Sequence, residues 1–117
     1  TQRLGGYLDL QRQADDSRIN YSYFPVALQN EAQVLAMRTA LQADGINPRR
    51  YFYPSLDTLD YLQPQAVQYQ SRSLSDRVLC LPIYPGLARA TQDQVIDTLL
   101  RGHELHYPQP VAWAAAV

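Results

Sequence analysis

The chain has 117 residues and a formal net charge of −1, which bounds it to one modest domain and gives no electrostatic case for binding nucleic acid or an anionic membrane. All ten basic residues are arginine, so lysine imine chemistry and a phosphate loop of the GxxxxGK type are excluded. A single cysteine, Cys80, excludes an internal disulfide.

The first stretch, "TQRLGGYLDLQRQADDSR" (1–18), is mixed and polar, with turn signals at Gly5-Gly6 and Asp15-Asp16-Ser17 and a short helix expected between them. "INYSYFPVAL" (19–28) is rich in β-branched and aromatic residues and reads as a strand. Pro25 within it points to an edge or a bulge, because proline cannot donate to a ladder. Asn20-Tyr21-Ser22 matches a glycosylation sequon, but the N-terminal residues lack a secretion-signal pattern, so a cytoplasmic location is expected.

Asn30 is a good N-cap for "EAQVLAMRTALQAD", where Val34, Met37 and Leu41 fall on one helical face. Gly45 stands where a left-handed C-cap is needed, and Ile46 supplies the hydrophobic contact that follows it. Pro48 blocks further helix, and "RYFY" (50–53) reads as a short strand. Residues 54–70 read as a long loop with one helical turn near 57–62, and "SLSDR" (73–77) as another turn of helix. "VLCLPIY" (78–84) is a continuous apolar run, hence a buried strand ended by Pro82 and Pro85-Gly86. In "TQDQVIDTLLRG" (91–102), Thr91 and Gln94 suggest a capping box, Val95, Ile96, Leu99 and Leu100 an apolar face, and Gly102 the end. The residues from 103 onward, "HELHYPQPVAWAAAV", are Pro-broken and form an irregular tail. The expected architecture is α+β: a small, mostly antiparallel three-stranded sheet with helices packed on one face, an α/β sandwich.

Few residues suggest chemistry. His103 and His106 are three apart, but a helix ending at Gly102 would spoil their geometry and a third ligand is lacking, so no metal site is expected. Cys80 lies in an apolar run without a basic neighbour and reads as a buried inert thiol. Asp15-Asp16, Asp57 and Asp60 read as turn formers. The nine tyrosines are the salient feature, and seven of them cluster in "YSYF", "RRYFYP", "DYLQPQAVQY" and "LPIYPG". A tyrosine combines a flat apolar body with a polar tip, which suits half-buried faces and ligand sites.

Four pieces in order, "NYSYFPV" (20–26), "LQADGINPRRYFYPSL" (41–56), "RVLCLPIYPGL" (77–87) and "TQDQVIDTLL" (91–100), resemble the C-terminal part of the DegT/DnrJ/EryC1/StrS family. The resemblance implies a pyridoxal-phosphate-dependent, fold type I aminotransferase that passes an amino group to a keto sugar carried on a nucleoside diphosphate. It implies that residues 19–102 are the small C-terminal-type domain, residues 1–18 a leading segment and residues 103–117 a tail. The partner would be a large cofactor domain, in a homo-oligomer. On this reading the chain binds no cofactor alone, has no catalytic residue and is inactive alone. Arg50, Tyr51 and Tyr53 become the candidate substrate-side groups. Relatives often carry a histidine close after this stretch, where this chain has Asp57, so that contact is not carried over. The competing reading is a free-standing, non-catalytic α+β binding module that uses its tyrosine-rich surface as a contact face.

Overall fold

A computed structural model describes residues 2–64 and 66–106. Three short antiparallel strands, β1 (Asp9–Leu10), β2 (Phe24–Ala27) and β3 (Val78–Leu81), form one sheet in the order β1-β2-β3. Three helices, α1 (Glu31–Ala43), α2 (Tyr69–Arg77) and α3 (Arg89–His106), complete an α+β arrangement. Among the described residues, no helix is long and apolar enough to cross a membrane.

The sheet separates two environments by the two-residue period of a strand. Val26 pairs with Leu79 and Phe24 with Leu81, and this face joins the core formed with Val34, Met37 and Leu41 of α1 and Val95 and Leu99 of α3. Pro25 pairs with Cys80 and Ala27 with Val78, and these residues point to the opposite face. β2 is the middle strand, yet Pro25 is accommodated. Cys80 exchanges both backbone hydrogen bonds with Arg49, so its polar groups point away from Pro25. β1 reaches only Val26 and Ala27, so the side on which Pro25 lacks its N–H is locally an edge.

Helix α1 forms as its local signals dictate. The Asn30 side chain accepts the Gln33 N–H at 2.9 Å, and the Gln33 side chain in turn accepts the Gln29 N–H at 2.7 Å. At the other end Gly45 has φ +77°, its N–H donates to the Gln42 carbonyl, and the Ile46 N–H donates to the Leu41 carbonyl. These two bonds, with Leu41 and Ile46 both buried, are a Schellman cap.

Five expectations are corrected. Residues 50–53 do not form a strand: Arg49 makes one isolated bridge to Cys80, after which the chain turns, and the third strand is Asp9–Leu10, where a short helix was expected. Leu4 and Leu8 lie in the core, which draws this leading segment onto the sheet. Helix α3 begins at Arg89, so Thr91 lies inside its first turn and cannot be its N-cap. Nor does Gly102 end α3. It is buried within the helix, where an added Cβ would sit 2.6 Å from Met37 Sδ, so this glycine permits close packing of α3 on α1. The helix consequently continues through residues 103–106, where an irregular tail was expected; residues 107–117 of that tail lie outside the described residues. The helical turn expected near 57–62 is a 3-10 turn over Leu56–Thr58, and the turn expected at 73–77 is the end of the longer α2.

Candidate functional site

Three of the four tyrosine clusters, distant in sequence, converge on the side of the sheet away from α1 and α3, while Tyr61 and Tyr69 of the other stay exposed. A cavity of about 380 Å³ is lined by Tyr23 from the first cluster, Arg49 and Tyr51 from the second and Tyr84 from the last, with Asn47 and Cys80 completing its wall. Backbone pairing sets this arrangement: the reciprocal Arg49–Cys80 hydrogen bonds, 3.0 and 2.7 Å, tie the aromatic segment to the outer edge of β3. Tyr23 and Tyr51 meet edge to face with centroids 5.5 Å apart, and Phe52 lies 5.5 Å from Tyr51 and 6.0 Å from Tyr23. Such geometry aligns the positive ring edge with the negative ring face. The Tyr51–Phe52 and Tyr53–Pro54 peptide bonds are cis.

Arg49 donates a hydrogen bond to the Tyr51 hydroxyl and its guanidinium carbon lies 5.6 Å from the Tyr51 ring centroid. The bond to Tyr51 raises the Arg49 pKa further, so this exposed guanidinium is a permanent cation at the cavity. Arg50 is engaged differently. Its side chain is only 12 % exposed, pairs with Glu31 at 3.0 Å, reaches the Asp76 carbonyl at 3.5 Å and stacks 3.7 Å above the Tyr53 ring. Of the three residues singled out in the sequence, Tyr51 therefore lines the cavity, while Arg50 and Tyr53 form a separate stacked pair beside it. Neither is among the residues lining that cavity.

A second, more apolar groove of about 580 Å³ runs along the open face, between Pro25, Ala27 and Val78 of the sheet, Tyr51 and Phe52, and Leu74 of α2. Phe52 is 67 % exposed and Tyr23 50 %, so this side presents aromatic surface to solvent. Arg49, Asn47, Tyr23 and Tyr84 also line the cavity, though none is among the substrate-side groups expected from the sequence. Repetition of tyrosine beside proline and arginine was the available signal, but it could not say which clusters meet.

Burial pushes the Cys80 thiol pKa up, which disfavours the thiolate needed of a nucleophile. His103 is buried, packs edge-on against Tyr7 at 5.2 Å, and has its pKa lowered by burial. Among the described residues, no group of three or more His, Cys, Asp or Glu side chains could hold a metal ion. Asp57 is no mere turn former. Its carboxylate accepts from Ser55 Oγ at 2.6 Å, the Gln68 N–H at 2.8 Å and Arg72 Nε at 2.8 Å. These bonds, led by the Gln68 N–H, hold its pKa down to about 2.

The sequence model of the DegT/DnrJ/EryC1/StrS aminotransferase family matches residues 2–100. A curated relative, a dTDP-4-amino-4,6-dideoxy-D-glucose transaminase of Shigella dysenteriae, is 29 % identical over 85 residues, covering 68 % of this chain and 23 % of its own length. Among solved structures, a DegT DnrJ EryC1 StrS aminotransferase from Brucella abortus superposes with a TM-score of 0.75 at 24 % identity, over 87 % of this chain and 28 % of that one. An aminotransferase from Streptoalloteichus hindustanus superposes with a TM-score of 0.78 at 16 % identity, over 90 % and 30 %. At these identities the superpositions speak for the fold, and the chain spans less than a third of each relative's length. With nearly the whole described chain inside the family's pattern, this protein belongs to the DegT/DnrJ/EryC1/StrS aminotransferase family.

Proposed function

We propose that this chain contains the small C-terminal-type domain of a pyridoxal-phosphate-dependent aminotransferase acting on a keto sugar linked to a nucleoside diphosphate, with the leading segment adding β1, Leu4 and Leu8 to residues 19–102. The observation that carries this reading is the family match over residues 2–100, and the sugar-transaminase relative favours a nucleotide-linked sugar as substrate. The chain's own residues do not fit the cofactor. It has no lysine to hold pyridoxal phosphate covalently. The role of its residues is to form a wall of the substrate site in the cytoplasmic enzyme.

On this reading Tyr51 offers a ring face to the sugar or the base, and Arg50 stacked on Tyr53 gives a fixed cationic, aromatic flank. Arg49 adds a permanent positive charge suited to a diphosphate. The exposed aromatic side, with Phe52 and Tyr23, turns toward a large cofactor domain or a second subunit, since contiguous apolar surface of several hundred Å² usually finds a covering surface.

The coding DNA upstream tests this. An open frame running into a lysine-bearing cofactor domain supports it. A start codon with its own ribosome site immediately before residue 1 overturns it in favour of a free-standing binding module. The protein is also expected to form no borohydride-reducible side-chain adduct with pyridoxal phosphate when its N-terminal amine is blocked.

A further inference from the structure

Helix α2 lacks the usual means of attachment. Its sequence YQSRSLSDR buries only Ser75, and Leu74 is 47 % exposed. Apolar burial stabilises by roughly 25 cal/mol per Å², and α2 has little such area to lose. Its position is therefore set largely by specific polar contacts: at its C-terminal end Arg77 exchanges hydrogen bonds with Leu28 at 2.9 Å, and the others converge on the segment that carries the aromatic cluster.

The centre of the contacts is Asp57, whose side chain is 3 % exposed. Its carboxylate oxygens take the Gln68 N–H, Arg72 Nε and Ser55 Oγ, and Ser71 Oγ lies 2.7 Å from Ser55 Oγ, which extends the chain of hydrogen bonds into α2. Gln68 opens α2 and its side chain makes no cap hydrogen bond, so the Asp57 charge supplies what the positive end of the helix lacks. At the other end of α2, Arg50 reaches the Asp76 carbonyl. Helix α2 thus lies as a splint along residues 50–57. Bonds to an ionised acceptor are the strong ones, and here one carboxylate supplies three of them.

We propose that Asp57 is a clasp that joins α2 to the segment bearing Arg50, Tyr51 and Tyr53, making the two one locally cooperative unit that opens ahead of the core. Asp57 is then a positioning residue: it touches no cavity-lining ring, but it fixes the strip of chain from which Tyr51 projects into the cavity. Core elements α1 and α3 are held by apolar packing and do not depend on it.

Amide hydrogen exchange followed by mass spectrometry on the full chain tests the clasp, with wild type, Asp57→Asn and Ser71→Ala compared. Asn keeps the shape but removes the charge and sets an N–H₂ group among donors. Exchange in peptides covering 50–57 and 69–77 should quicken by about tenfold in Asp57→Asn and by less in Ser71→Ala, while peptides from α1 and α3 keep their rates. Unchanged exchange over 69–77 overturns the proposal. So does equal acceleration throughout the chain, the mark of general destabilisation. If Asp57→Asn does not fold, the wild type decides: both peptides must share one opening free energy with the same denaturant dependence, and separate values overturn the clasp.

Discussion

Replacement of Gly45 by alanine isolates one term of the folding free energy. The residue has φ +77°, and a Cβ built on it meets no atom within 4 Å. Sterics with the surroundings therefore contribute nothing, and the penalty is that of an L-residue in the left-handed region, about 1–2 kcal/mol. Alanine also restricts the unfolded chain, which returns about 0.4–1 kcal/mol, so the net destabilisation should be about 1 kcal/mol. In a domain of this size that lowers the thermal midpoint by roughly 4 °C. Gly6 is the control. Its Cβ would also meet open space, but its φ is not in the left-handed region, so Gly6→Ala should be neutral or slightly stabilising. Urea titrations followed by tyrosine fluorescence and far-UV circular dichroism would measure both. If the two variants shift the midpoint equally, the Schellman cap is not what ends α1, and the argument from Gly45 fails.

Asn30→Ala should destabilise by about 1 kcal/mol through loss of the side-chain bond to the Gln33 N–H, seen as a lower urea midpoint with unchanged slope, whereas Thr91→Ala, inside the first turn of α3, should lack an N-cap penalty of that size. Cys80 should resist iodoacetamide at neutral pH in the folded protein and react once urea unfolds it, because burial both covers the thiol and raises its pKa; rapid labelling of the native protein would contradict this. Acid should weaken the fold in two stages. The His103 pKa is lowered by burial, so the unfolded state takes up the extra proton and stability begins to fall below about pH 6.5. The Asp57 pKa is lowered to about 2, so its contribution is whole above the ordinary carboxylate value and is lost as pH falls from about 4 toward 2. A stability profile in which Asp57→Asn parallels wild type down to pH 2 would contradict the second stage.

Some of this protein was determined by short-range chemistry alone. Helix α1 was readable in full because every signal that starts and stops it lies within the segment from Gln29 to Ile46. The buried strand at Val78–Leu81 and the α+β class were readable for a similar reason: an unbroken apolar run bounded by proline has few other fates. The ordered motifs between residues 20 and 100 also carried the family, which the match over residues 2–100 shows.

What the sequence could not settle depended on partners far along the chain. Residues 50–53 have the β-favouring composition of a strand, but only Arg49 finds a pairing partner, Cys80, so the ladder stops there. Asp9 and Leu10 become a strand only because Ala27 and Val26 offer them an edge, which no local propensity records. Gly102 at the end of an apolar pattern looked like a cap, since glycine serves both left-handed turns and close approach. Only Met37, brought against it by the crossing of α1 and α3, decides for close approach. Asp57 likewise looked like a turn residue because its partners Gln68 and Arg72 lie 11 and 15 residues away. The cavity was hidden for the same reason: it exists only where Tyr23, Tyr51 and Tyr84 meet, and that meeting is made by pairing across the sheet and not by any one stretch of chain.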